Sequence, residues 1–298
     1  YSLGNVELVD INNMRTKHKK LTFTKMRGTG NDYLYFDCFD QTVESPESLA
    51  VRLSNRRTGV GSDGIVLIMP STIADAKMRM FNADGTEGSV AGNALRCVCK
   101  YLYENGHVRK AEMAVETGSG VKTAKLFIRE DQVFSVLVDM GCPQFAPAKI
   151  PVKLDGDRVM MRPVFLAGEK REISCVSMGN PHVVIFVEDV NRIPLEQVGP
   201  QIETDSLFPE RVNVSFAQIV DKNDIVMRVW ERGIGETAAC GTGACAVAVA
   251  AVENGFCTCG ADIDVRLPGG TLVVRYQEDG KVWLTGDANT DFTGTIEI

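Results

Sequence analysis

One offset recurs along this 298-residue chain. A shift of 149 positions lays Gly30-Asn31 on Gly179-Asn180, Glu87 on Glu236, Gly92 on Gly241, Asn105-Gly106 on Asn254-Gly255, and Gly120 on Gly269. The shift stays constant over roughly ninety residues, as an internal duplication requires. The matches fall mostly on Gly and Asn, the residues that turns and helix ends select. Local patterns agree. Gly30-Asn31 leads into Tyr-Leu-Tyr-Phe at 33–36, and Gly179-Asn180 leads into Pro-His-Val-Val-Ile-Phe-Val at 181–187. Both read as a turn feeding a buried strand. Met78–Phe81 and Ile225–Trp230 read as strands, each entering a Gly-containing loop and then a helix, at about 92–105 and 241–254. Each helix ends on Asn-Gly, where a left-handed residue closes the last turn. Both are nearly apolar all round and are therefore expected to be buried on all sides. The second, built of Ala and Val, is small enough to sit inside a curved sheet.

The chain thus reads as α+β, in two pseudo-symmetric domains, each with several short strands around one central buried helix. Strands such as Val133–Val138 and Thr271–Tyr276 are β-branched and turn-separated, which favours curved, mostly antiparallel sheets. Asp139–Val152, with Pro143, Pro147 and Pro151, reads as the linker. The expected division is a tail at 1–20, a first domain at 21–145 and a second at 146–298, with the last strand at about 290–298 free to pack back on the first. A shorter helix is expected from Ser45 as N-cap, through Pro46, to about Asn55, with a weaker counterpart near Leu195–Val198.

Composition narrows the functional classes. There are 32 basic and 39 acidic residues, a formal charge of −7, and a pI near 5.2. No long basic run tracks a phosphate backbone, so nucleic acid is not an expected partner. Lys17-His18-Lys19-Lys20 reads as a solvated tail. No apolar run approaches the roughly 20 residues of a membrane helix. The most apolar stretch, Ala244–Val252, reads as a buried helix, so no membrane is expected. No secretory signal is visible, and Met14 is a candidate start. The nine cysteines, an odd number, read as reduced thiols of a cytoplasmic protein. Cys97/Cys99 and Cys257/Cys259 are spaced more closely than zinc ligands usually are and have no histidine nearby, so no metal is expected.

The chemistry gathers where the two central helices begin, at Ala91-Gly92-Asn93 and Cys240-Gly241-Thr242. A helix N-terminus offers unpaired N–H groups and partial positive charge, hence a carboxylate site. Glycine lets a ligand approach the backbone closely. Cys240 stands where that field lowers a thiol pKa, and reads either as an acid/base or nucleophile or as a buried apolar cysteine. Cys97 and Cys245, inside their helices, read as core.

Seven segments occur in order: Phe23-Thr-Lys-Met-Arg-Gly-Thr-Gly-Asn31-Asp, Arg57-Thr-Gly-Val-Gly-Ser-Asp-Gly64, Phe81-Asn-Ala-Asp-Gly85, Gly92-Asn-Ala-Leu-Arg-Cys97, Met178-Gly-Asn-Pro-His182, Phe208-Pro-Glu-Arg-Val-Asn213 and Glu231-Arg-Gly-Ile-Gly-Glu-Thr-Ala-Ala-Cys-Gly-Thr-Gly-Ala-Cys245. With them the chain resembles the diaminopimelate epimerases over essentially all of 21–298. The resemblance implies two barrel-like sheets, each around a central helix, with the active site between them. It implies inversion of one α-carbon of diaminopimelate, between the LL and meso forms, without cofactor or metal. It leaves a homodimer open. In that family two thiols, one ionised and one protonated, serve opposite faces of the α-carbon. Cys240 matches one; Ala91 stands where the family expects the other. Deliberate replacement and natural loss both remain open.

The resemblance also assigns binding roles. Asn31, Asn82, Asn180, Asn213 and Arg232 match positions that hold the non-reacting amino-acid end. Asn and Arg suit this because a second ammonium and carboxylate need acceptors and bidentate donors. Gly92, Asn93, Gly241 and Thr242 match the cradle of the reacting carboxylate. Glu231 and His182 match groups that position the α-ammonium and the thiols. Read alone, each Asn is a turn residue and His182 a packed strand-end histidine. Gly64 receives no side-chain role. Two other readings stand beside this one: a racemase or isomerase of another small amino or carboxylic acid, and an amino-acid-binding homologue without turnover, which Ala91 favours.

Overall fold

The computed structural model of the protein describes residues 19–88 and 92–298. The Ala91 position and residues 1–18 of the expected tail lie outside the described residues. The first half runs β1 (Lys20–Gly28), β2 (Asn31–Asp37), α1 (Pro46–Ser54), β3 (Gly64–Met69), β4 (Ala76–Asn82), β5 (Glu87–Gly88), α2 (Gly92–Glu104), β6 (Glu112–Thr117), β7 (Gly120–Arg129) and β8 (Gln132–Asp139). The second runs β9 (Arg162–Leu166), β10 (Glu169–Ser177), β11 (Pro181–Phe186), α3 (Leu195–Glu203), β12 (Asn213–Asp221), β13 (Asp224–Glu231), β14 (Gly235–Thr237), α4 (Gly241–Glu253), β15 (Ile263–Leu267), β16 (Gly270–Tyr276), β17 (Val282–Gly286) and β18 (Asn289–Glu297).

The 149-residue offset is written into the pairing. β2 runs parallel to β3 with Tyr33 opposite Gly64, and β11 runs parallel to β12 with His182 opposite Asn213. The Arg79–Glu87 ion pair at 2.7 Å recurs as Arg228–Glu236 at 2.8 Å. Both central helices end against left-handed glycines, Gly106 at φ 79° and Gly255 at φ 78°. Most remaining strand pairs are antiparallel. Each half has two apolar layers. α2 packs on one face of its sheet with Val98, Leu102, Val115 and Val136, while α1 covers the other with Leu49, Leu53, Phe36 and Phe81. α4 and α3 repeat this arrangement in the second half. Ala244, Ala246, Ala248, Ala250 and Ala251 of α4 are fully buried, and their small side chains bring the helix backbone close to the sheet.

Among the described residues the strands of the two halves join into one sheet. β8 and β17, equivalent under the offset, pair antiparallel with Val138 opposite Leu284, and β18 pairs along β1. Lys19 and Lys20 are not a solvated tail. Lys20 opens β1, and Lys19 exchanges backbone hydrogen bonds with Ile298 at 3.1 and 2.9 Å. Ser45 does not cap α1 through its side chain. Its backbone is left-handed at φ 50°, and only its carbonyl accepts, from Leu49. The weak counterpart near Leu195 is a full helix reaching Glu203. Helix α2 is not apolar all round, because it carries a fully buried Arg96. The guanidinium donates to the Asp287 carbonyl at 3.0 Å and to Thr29 Oγ1 at 2.9 Å, tying the helix to the β1–β2 turn and to the crossing into β18.

Candidate active site

The two central helices begin on one cleft of about 1080 Å³. Its lining includes Gly92 and Asn93 from α2, and Cys240, Gly241 and Thr242 from the start of α4. Leu284 of β17 is wedged between the two starts: a Cβ on Gly92 would lie 3.4 Å from its Cδ2, and one on Gly241 3.2 Å. The N-termini therefore share an apolar floor, and a side chain at Gly241 would crowd it.

Each helix start is tied to the turn that opens its half. Asn93 Nδ2 donates to Asn31 Oδ1 at 2.6 Å, and Asn180 Nδ2 donates to Thr242 Oγ1 at 3.1 Å. The two bonds are related by the offset, since each spans 62 residues. Asn31, Asn82, Asn180 and Glu231 also line the cleft. Asn82, at the end of β4, donates to Thr86 Oγ1 at 3.0 Å.

Three expected residues are not part of this lining. His182 is fully buried, its Nε2 2.9 Å from Asn180 Oδ1 and 3.2 Å from Thr242 Oγ1. Asn213 is buried and accepts the Arg232 amide at 2.9 Å. Arg232 is half-buried, and its Nη1 donates to the Glu210 carbonyl at 3.0 Å. Asn213 thus acts here on the Arg232 backbone.

Cys240 is the N-cap of α4, and its Sγ accepts the Gly243 amide at 3.4 Å. Its thiol departs from expectation. Burial, followed by the neighbouring Glu231 charge, pushes it up to about 12, outweighing the Thr242 and Gly243 hydrogen bonds that pull it down. The Glu231 carboxyl is itself raised, chiefly by burial, while Thr237 and Cys240 hydrogen bonds oppose the rise. Cys240 is thus held as a protonated thiol beside the Glu231 carboxyl.

His182 is pushed from 6.5 down to about 3, first by burial and then by the Arg232 charge. An unfolded imidazole takes a proton near pH 6.5, and this one does not until about 3. Its contribution to stability is therefore complete above pH 6.5 and lost as pH falls through that window, by up to about 1.4 kcal/mol per pH unit. The urea midpoint should fall less steeply between pH 6 and pH 4 in His182→Gln than in the unaltered chain. Equal slopes would show that His182 is not the group being read.

Sequence reading missed some of the supports. Asp63 accepts Asn31 Nδ2 at 3.1 Å and Arg56 Nη2 at 3.0 Å, fixing the Asn31 amide. Both residues belong to the Arg-rich, Gly-rich stretch before β3, but nothing in that stretch marks which side chain turns inward. The absence of a side-chain role for Gly64 has a physical cause: a Cβ there would lie 2.1 Å from the Phe81 carbonyl oxygen.

A family model described as diaminopimelate epimerase matches residues 23–146 and 174–290. A diaminopimelate epimerase from Acetivibrio thermocellus is 47% identical over 279 residues, covering 93% of this chain and 99% of the relative. One from Desulfovibrio desulfuricans is 49% identical over 285 residues, covering 93% and 99%. A Bacillus anthracis protein of the PhzF family, known from a crystal structure, shares the fold with a TM-score of 0.67 at 18% identity, covering 94% of this chain and all of that one.

Proposed function

The chain belongs to the diaminopimelate epimerase family, and from that premise we propose how its cleft works. It is an isomerase of lysine biosynthesis that inverts one α-carbon of diaminopimelate between the LL and meso forms. The observation that carries this reading is the meeting of two equivalent Gly-led helix N-termini on one cleft, with a thiol capping one of them.

The amides at Gly92-Asn93 and Gly241-Thr242 receive the reacting carboxylate. There they also stabilise the charge that develops when the α-proton leaves. Cys240 Sγ serves one face of the α-carbon. Protonated at rest, Cys240 passes its Sγ proton to the Glu231 carboxylate beside it; the thiolate so formed takes the α-proton from that face and can return one to the same face, while Glu231 also binds the α-ammonium. His182, kept neutral by burial, orients Asn180 and Thr242. Ala91 stands in the sequence where the family has the thiol for the opposite face, and an alanine can neither take nor give a proton. Asn31, Asn82, Asn180 and Arg232 hold the second amino-acid end, with Asn213 fixing the Arg232 backbone.

The nine free thiols support a reducing, cytoplasmic setting. The outer edge of β18, which pairs only along β1 among the described residues, supports a homodimer.

The test of the Cys240 role is isotopic. Incubated with meso-diaminopimelate in deuterated water, the chain should incorporate α-deuterium slowly through Cys240. Cys240→Ala should lower that rate by about 10²-fold or more. Exchange that survives the substitution would remove Cys240 from the chemistry.

A further inference from the structure

The hairpin between β13 and β14 brings Glu231, Gly233 and Ile234 to the cleft lining, with Arg232 between them in the chain, yet its tip is not held by its own strands alone. Glu203, the last residue of α3, is buried to 6% exposure. One carboxylate oxygen accepts the Gly233 amide at 2.8 Å, and the other accepts Trp230 Nε1 at 2.8 Å. Arg211 Nη1 lies 3.6 Å away. With the Arg232 amide on Asn213, two consecutive tip amides are fixed by side chains from two other elements. The helix packs closely on the hairpin: a Cβ on Gly199 would lie 2.7 Å from the Trp230 ring.

The offset makes this brace informative. Glu203 falls on Ser54, Arg232 on Ala83 and Gly233 on Asp84. In the first half the equivalent tip is closed by backbone carbonyls, one of them from the segment before β3, and by an aspartate of the tip itself. Ala83 donates to the Asp63 carbonyl at 3.0 Å, Gly85 to the Asn82 carbonyl at 2.9 Å, and Thr86 to Asp84 Oδ1 at 2.9 Å. Ser54 reaches only Ser62 Oγ, at 3.2 Å. A buried charged brace is therefore not something the duplicated scaffold needs. It occurs only in the half whose tip carries a guanidinium.

We infer that Glu203 is a positioning residue that fixes the Arg232 tip for the second carboxylate of a two-headed amino acid, and so sets the preference for such substrates over one-headed ones. This rests on the proposed role of Arg232 at the non-reacting end. Glu231 is held separately through Thr237 and the β13–β14 ladder, so loosening the tip leaves the reacting end in place.

The test compares binding of meso-diaminopimelate with that of 2-aminoheptanoate, which has the same chain length but no second head. Glu203→Gln keeps the side-chain shape but offers one acceptor for two donors. It should weaken diaminopimelate binding about tenfold or more and change 2-aminoheptanoate binding less than twofold. In an Arg232→Ala background it should cost diaminopimelate little further, because it acts through that residue. Equal loss for both ligands, or full additivity with Arg232→Ala, would make Glu203 merely structural and overturn the inference. A measurement on the unaltered chain does not depend on the variant folding: the amide of Gly233, an exposed residue, should exchange slowly with solvent, and fast exchange would overturn the brace. If the unaltered chain binds both ligands alike, the two-headed reading of the cleft fails and takes this inference with it. A slow Gly233 amide would still show that the brace itself was correctly read.

Discussion

Ala91→Cys is expected to convert the chain from slow, one-faced proton exchange to true inversion, a gain of about 10²–10⁴-fold in epimerisation, the usual worth of a positioned general acid or base. Under the offset Ala91 is the counterpart of Cys240, and each directly precedes a Gly-led helix start. Those two starts, Gly92 and Gly241, both line the one cleft and rest on the same Leu284. A single thiol can remove a proton and return it to the same face, which labels the α-carbon without inverting it. Inversion needs delivery from the other side. The measurement is stereochemical: LL- and meso-diaminopimelate are incubated separately in deuterated water with the chain as written and with Ala91→Cys. The cysteine form should interconvert the isomers with label, and the alanine form should show at most slow labelling with retained configuration. Rapid inversion by the alanine form would end the two-thiol account and require another proton donor near Gly92. Tight binding by both forms with turnover by neither would favour the non-catalytic reading.

What could be read from the sequence was whatever the duplication or local turn chemistry carries. The helix starts and the Asn-Gly ends follow from residues whose backbone roles are local and occur twice. Tertiary crossings are another matter. β18 sits beside β1 because the chain passes Asp287, whose carbonyl and carboxylate are held by Arg96 and Thr29. A last strand returning to the first domain is among the expectations, but nothing periodic announces what fastens it, and a single Arg in an otherwise apolar helix reads as an exception to the pattern. The thiol shows the same limit. Its place at a helix N-terminus argues for a lowered pKa, but how deeply it is buried, and that Glu231 lies against it, depend on packing between β13 and α4. Supports that act from a neighbouring element, such as Asp63 and Glu203, leave no spacing signal.

Arg232→Ala is expected to cost about 2–5 kcal/mol of diaminopimelate binding, the range for removing one partner of a hydrogen-bonded charge pair in a desolvated site. Arg232 is half-buried between the cleft-lining residues Glu231 and Gly233. Its amide is fixed on Asn213 and the next amide on Glu203. Its guanidinium meets the Glu210 carbonyl, and no carboxylate of the described residues lies within ion-pair distance of it. Arg232→Lys should recover only part of the loss, because an ammonium cannot match a carboxylate with two parallel bonds. Calorimetric titration with meso-diaminopimelate and with 2-aminoheptanoate separates this role from a general one: the first should weaken by the stated amount and the second barely change. Equal weakening would place Arg232 at the reacting end or outside the site. The unliganded protein supplies an independent check. The Arg232 charge helps to hold the His182 imidazole neutral, so Arg232→Ala should raise the pH at which that ring protonates. Its NMR titration would show this without any substrate. If the ring titrates at an unchanged pH, the guanidinium does not face the cleft wall behind which His182 lies, and its assignment to the substrate's second carboxylate loses its geometric basis.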